Sequence, residues 1–88
     1  MRIYDCKINV SKKTTKTSVT VTDTMSGAKL TFDVPVLEKD KQATRWYVIT
    51  NTVDFLRGRG HEILGISHAD GVESDRRFFV IGNDKDQF

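Results

Sequence analysis

Two histidines, one cysteine and a few clustered carboxylates are the side chains with which this 88-residue chain could do chemistry. His61, Glu62 and His68 are of the types that ligate metals. On a strand, however, residues seven apart point to opposite faces, so the two histidines cannot converge. No second cysteine completes a tetrahedral set either. Both are therefore read as solvated strand-end histidines, and neither a metal nor any other cofactor is expected.

Cys6 alternates in phase with Tyr4 and Ile8, which marks it as a small buried hydrophobe with an inert thiol. No local signature couples it to a histidine for nucleophilic catalysis. Asp70, Glu73 and Asp75 match neither the spacing of a calcium loop nor a general acid/base pair on rigid elements, and they read as a solvated hairpin tip. Gly58, Gly60 and Gly65 follow an expected helix instead of opening one, so they do not form a phosphate-cradling turn. No catalytic constellation emerges, and the chain is expected not to be an enzyme.

These residues must be positioned by elements that the periodicity outlines. From Arg2 to Val10, Tyr4, Cys6, Ile8 and Val10 alternate with Asp5, Lys7 and Asn9, the period of a half-buried strand, with Ile3 out of phase. After the polar stretch from Ser11 to Lys16, Val19 and Val21 alternate with Ser18, Thr20 and Thr22 in a second strand. Ser26-Gly27 supplies a tight turn, and a third strand from Ala28 to Val34 directs Ala28, Leu30, Phe32 and Val34 inward. Three consecutive strands with one oily face make an antiparallel meander.

Pro35 ends the third strand, and Glu38 to Lys41 reads as a connector with Asp40 as N-cap. Ala43, Trp46, Ile49, Val53 and Leu56 then recur at helical spacing, and Gly58 stands where a C-cap glycine would. Val48, Ile49, Thr50, Thr52 and Val53 are β-branched and argue for a strand, but eighteen residues without a turn signal is long for one. Two more strands follow, His61 to His68 and Arg76 to Gly82, joined by a turn at Asp70-Gly71. The fold class is α+β: a five-stranded, mainly antiparallel sheet in the order β-β-β-α-β-β, with one helix packed on one face, all within a single domain. The last six residues are expected to fray.

Two surfaces are candidates for binding. On the helix, Val48 and Phe55 lie roughly opposite Trp46 and Val53, with Tyr47 between the two faces. Unless Val36, Leu37 or Phe88 covers them, Tyr47, Val48 and Phe55 form an apolar docking face for another protein or a second copy of this chain. The basic alternative gathers Lys12, Lys13 and Lys16 of the first loop, Arg57 and Arg59 at the helix end, and Arg76 and Arg77 at the start of the last strand, as phosphate contacts. In Arg57-Gly58-Arg59-Gly60, both arginines also complement the negative end of the helix dipole.

The outer face of the meander offers Lys7, Asn9, Thr20, Thr22, Lys29 and Thr31 and no aromatic residue, so base stacking is not expected on it. Its polar groups would suit a sheet laid in the major groove of a duplex. Phe78 and Phe79 are adjacent, so a strand must point them to opposite faces, and the sequence does not say which is covered.

The formal charge of +2 is too small to announce a nucleic-acid partner, although residues 1–31 carry six cations against Asp5 and Asp23. A single cysteine excludes an internal disulfide, and the expected compartment is the cytoplasm. Neither a basic-then-apolar leader nor a run of about 18 apolar residues is present, so no membrane association is expected. The expectation is a non-enzymatic regulatory module that docks onto another macromolecule, a protein partner ranking ahead of nucleic acid. Size and composition suit an accessory protein of a phage or mobile element, without a motif to carry that impression.

Overall fold

A computed structural model describes residues 1–11, 16–35, 45–68 and 76–85, without the side chains of Arg45 and His68. Lys12, Lys13, the Asp40 cap, Ala43, Val36, Leu37, the Asp70-Gly71 turn with its carboxylates, and Phe88 lie outside the described residues. The strands are β1 (Arg2–Val10), β2 (Thr17–Asp23), β3 (Lys29–Val34), β4 (Ile63–His68) and β5 (Arg77–Gly82), and the helix α1 (Arg45–Gly58) lies between β3 and β4. The fold is the expected α+β sheet-and-helix arrangement, with every strand pair antiparallel and the sheet open.

The strand order is β3-β2-β1-β5-β4. The meander holds as read, and β5 inserts beside β1, which makes the first strand the centre of the sheet. Its alternation explains that place, because Tyr4, Cys6 and Ile8 are buried and present a continuous apolar row for both neighbours. Val19, Val21, Val34, Phe78 and Val80 complete the covered face. Phe78 is fully buried opposite Cys6, and Phe79, paired with Asp5, points to the other side. The β4–β5 ladder shifts register between Ile63 and Gly65, leaving Leu64 exposed at the irregularity.

The helix forms despite its β-branched residues because tertiary burial outweighs a propensity deficit of a few tenths of a kcal/mol per residue. Its threonine hydroxyls are spent on its own carbonyls, Thr52 on Val48 at 2.8 Å and Thr50 on Trp46 at 3.0 Å. The buried face is Val48, Ile49, Thr52, Val53 and Leu56, whereas Trp46 is 67% exposed. This corrects the expected orientation: Val48 belongs to the core, and Trp46 does not. At about 100° per residue the buried arc is centred between Thr52 and Leu56, and Trp46 and Phe55 lie about 90° to either side. Phe55 is turned inward by Phe32, whose ring it stacks at 4.2 Å and 13°. A buried threonine at the middle of the face is what an apolar stripe could not count.

The helix ends in a Schellman motif. His61 N–H donates to the Leu56 carbonyl at 3.0 Å and Gly60 N–H to that of Arg57 at 2.9 Å. The left-handed residue is Gly60, with φ of 89°, so the capping glycine is Gly60 and not Gly58. Of the last six residues, 83–85 are hydrogen-bonded to the sheet and its flank, the Asp84 carbonyl accepting from Arg2 at 3.0 Å and Asn83 donating to Glu62 at 3.0 Å, and 86–88 lie outside the described residues.

Gly82 is required for packing. A Cβ there would stand 2.6 Å from Cε2 of the fully buried Tyr4. Because the Tyr4 hydroxyl is also bonded to His61, the ring has little room to retreat. Gly82→Ala is expected to cost about 1–3 kcal/mol in urea denaturation. An unchanged midpoint would show that Tyr4 can be displaced freely.

Candidate functional site

The helix covers one face of the sheet and, among the described residues, nothing packs on the other, which is called the open face below. On that open face the register aligns Thr31, Thr20, Lys7 and Arg77 across β3, β2, β1 and β5, and beside them Lys29, Thr22, Asp5 and Phe79. Between these rows lies a concavity of about 390 Å³ into which Lys7, Lys29, Arg76 and Arg77 converge. Asp5, Thr20 and Thr22 complete its lining. Four cationic side chains thus surround one carboxylate.

That carboxylate is engaged. Arg77 holds Asp5 through a two-pronged contact, Nε to Oδ1 at 2.9 Å and Nη2 to Oδ2 at 2.5 Å. The hydrogen bonds to Asp5 and its charge push the Arg77 guanidinium further above its already high ordinary pKa, so it stays charged. Its Cζ also lies 5.4 Å from the centroid of the Phe79 ring. Lys7, Lys29 and Arg76 have no carboxylate partner among the described residues. Thr20 links by hydroxyl to Thr31 at 3.1 Å and accepts from Asn9 Nδ2 at 3.1 Å, which fixes the polar floor. Fixed donors and unpaired cations around a shallow cavity can hold phosphate groups.

Of the basic residues singled out in the sequence, Arg76 and Arg77 line this concavity. Arg57 and Arg59 stand at the end of α1, on the helix side of the sheet, with Arg59 Cζ 5.8 Å from the Phe55 ring. Lys16 is exposed just before β2, where its carbonyl accepts from Ser11 at 2.9 Å. The five described basic candidates therefore do not make one surface, and Lys12 and Lys13 lie outside the described residues. Lys7 and Lys29 were visible as outward residues of the meander, but nothing in the sequence set them beside Arg76 and Arg77. That juxtaposition depends on β5 lying next to β1.

Of the apolar docking face expected on the helix, Val48 is withdrawn, being 1% exposed and part of the core. Phe55 is half-buried against Phe32, and Tyr47 is half-buried against the core. The rotation of α1 that centres its covered face between Thr52 and Leu56 accounts for the burial of Val48, and the Phe32 ring for that of Phe55.

Cys6 and His61 are internal. Burial pushes the Cys6 thiol well above its ordinary pKa, with the charge of Asp5 adding to the effect, and its Sγ rests 3.7 Å from the Tyr4 carbonyl. His61 corrects the expectation of a solvated histidine. It is 6% exposed, its Nδ1 lies 2.9 Å from the Tyr4 hydroxyl, and the two rings meet edge to face at 5.7 Å. Its place two residues before β4, directly after the Schellman turn, carries it under the sheet. Among the described residues no three His, Cys, Asp or Glu side chains gather as metal ligands, and no helix is long and apolar enough to cross a membrane.

No protein-family model, no curated protein and no solved structure matches this chain. The functional reading therefore stands on the geometry of the open sheet face.

Proposed function

We propose that this protein is a non-enzymatic nucleic-acid-binding module that contacts backbone phosphates with the open face of its sheet. The observation that supports it is the convergence of Lys7, Lys29, Arg76 and Arg77 on one concavity in which Asp5, the one carboxylate of the described lining, is already paired. An overall charge of +2 gives no sign of such a local gathering, because net charge says nothing of where the charges stand.

Fluorescence anisotropy of labelled oligonucleotides at about 50 and about 200 mM salt tests the proposal. Three to four phosphate contacts release enough counterions that affinity should fall roughly 20- to 150-fold between the two conditions. Lys7→Ala together with Lys29→Ala should weaken binding and lower the salt slope by about 1 per cation removed. Binding that is insensitive to salt, or unaffected by the double variant, would exclude this face as the phosphate site.

A second reading, docking onto a protein partner or a second copy of this chain, is favoured by one observation. Trp46 is 67% exposed at the start of α1, beside the half-buried Tyr47. Exposed tryptophans are common anchors of protein interfaces. Apolar contact of this kind depends weakly on salt, so the same titration, run with a candidate protein, separates the two readings.

A further inference from the structure

The cations occupy only part of the open face. Next to them β5 carries Phe79 and Ile81 outward, and register pairs Phe79 with Asp5 of the concavity and Ile81 with Ile3. Ile3 is 40% exposed, although strict alternation on a solvated face would put a polar residue there. The outward positions of β2 obey that alternation with Ser18, Thr20 and Thr22. The face is thus divided into a cationic region and an apolar, aromatic shelf, with Arg77 at the boundary touching both Asp5 and Phe79.

Two properties decide what kind of nucleic acid such a face suits. The first is width. Five strands about 4.8 Å apart make a surface about 19 Å across, whereas a B-form major groove is about 12 Å wide and admits a two-stranded ribbon. Laid face-on, the sheet cannot enter it. The second is amphipathicity. In a duplex the flat faces of the bases are stacked inside and only phosphates and groove edges are offered, whereas a single strand presents bases along one edge and phosphates along the other. Sequence-tolerant single-strand binding combines a positive groove with a ring on which a base can lie, and an arginine plane stacks on bases as a ring does. Phe79, with the Arg77 guanidinium 5.4 Å from its centroid, supplies stacked planar groups of that kind beside the groove.

We infer that the open face binds single-stranded nucleic acid, with a base stacked on the Arg77 and Phe79 platform and backbone phosphates on Lys7, Lys29 and Arg76. This rests on the phosphate-binding reading and adds to it the class of strand and the residue that selects it. Duplex binding through the same cations would be weak and indifferent to Phe79.

The test compares a labelled oligothymidylate with a labelled duplex of equal length at about 50 mM salt, using wild type, Phe79→Leu and Phe79→Trp. Wild type should bind the single strand at least about tenfold more tightly than the duplex. Phe79→Leu keeps an apolar residue but removes the ring, and should lower single-strand affinity about tenfold without changing the salt slope. Phe79→Trp, which keeps a π-face if the leucine variant folds poorly, should retain or raise it. Equal or tighter duplex binding, full affinity in Phe79→Leu, or loss of affinity in a folded Phe79→Trp would overturn the inference while leaving the phosphate contacts standing. Failure of wild type to bind either oligonucleotide would sink both.

Discussion

Asp23→Ala is expected to lower stability by about 3–5 kcal/mol, read as a large fall in the urea midpoint, because it leaves the Arg2 guanidinium buried and uncompensated. Arg2 is 5% and Asp23 0% exposed, and the two form a direct ion pair at the end of the sheet. Arginine cannot neutralise itself by losing a proton, and its Nε already has no hydrogen-bond partner among the described residues. Asp23 also organises the β2–β3 turn. Its Oδ1 accepts from Met25 N–H at 3.0 Å and Ser26 N–H at 3.4 Å, and its carbonyl accepts from Gly27 N–H at 2.7 Å. A domain of 88 residues holds about 4–13 kcal/mol in all, so the variant should lie at or beyond the edge of folding.

A double replacement, Arg2→Met with Asp23→Leu, should be much less damaging than either single change, since it removes both charges from the interior. A single variant within about 1 kcal/mol of wild type would show that water or chain movement relieves the buried arginine.

The same pair sets an acid limb of stability. Burial of Asp23 opposes its ionisation, but hydrogen bonds from Met25, Arg2 and Ser26, together with the Arg2 charge, outweigh it and hold the carboxyl below its ordinary value. The folded pKa is therefore below the unfolded one of about 3.9, the unfolded chain binds more protons, and stability rises with pH. The contribution is complete above the unfolded value and is lost as pH falls through the folded one. Urea midpoints between about pH 3 and 6 should fall more steeply toward acid for wild type than for Asp23→Asn.

Val48→Lys is expected to prevent folding or to cost more than about 3 kcal/mol, whereas Trp46→Lys should change stability by no more than about 0.5 kcal/mol. Val48 is 1% exposed and packed within the core, so a lysine there must bury an ammonium or force the helix off the sheet. Trp46, two residues away, is 67% exposed and leaves little behind when replaced. Phe55→Lys should fall between the two, because it removes a half-buried ring stacked on Phe32. Thermal melts of the three variants give the order directly. Tolerance at Val48 with loss at Trp46 would mean that α1 is rotated toward the stripe of Trp46, Ile49, Val53 and Leu56.

The helix shows where sequence periodicity loses resolution. Two stripes, Trp46-Ile49-Val53 and Val48-Phe55, compete for the sheet, and apolarity alone favours the one that contains tryptophan. The structure places between them Thr52, a residue that counts as polar until its hydroxyl is seen bonded to the Val48 carbonyl at 2.8 Å. Similarly, Gly58 and Gly60 are equivalent as capping candidates until the backbone shows that Gly60 has the positive φ.

The candidate site divides along the same line. Lys7, Lys29, Thr20 and Thr22 can be assigned to one face of the meander from alternation alone, because side-chain direction on a strand is a local property with a period of two. Arg76, Arg77 and Phe79 join them only when β5 pairs with β1, a contact that spans some seventy residues of chain, as in the pairing of Lys7 with Arg77. The choice between Phe78 and Phe79 for the interior is made by the same pairing.

The sequence by itself determined the number and kind of the elements, the antiparallel meander, the existence of the helix and the buried state of Cys6. Each follows from local rules: alternation, helical spacing, turn residues. The tertiary structure alone decided the strand order, the rotation of α1, the burial of His61 beneath Tyr4 and the gathering of cations beside an aromatic shelf. These depend on which distant surfaces meet, and their free energies come from mutual burial and charge proximity that no single segment of chain contains.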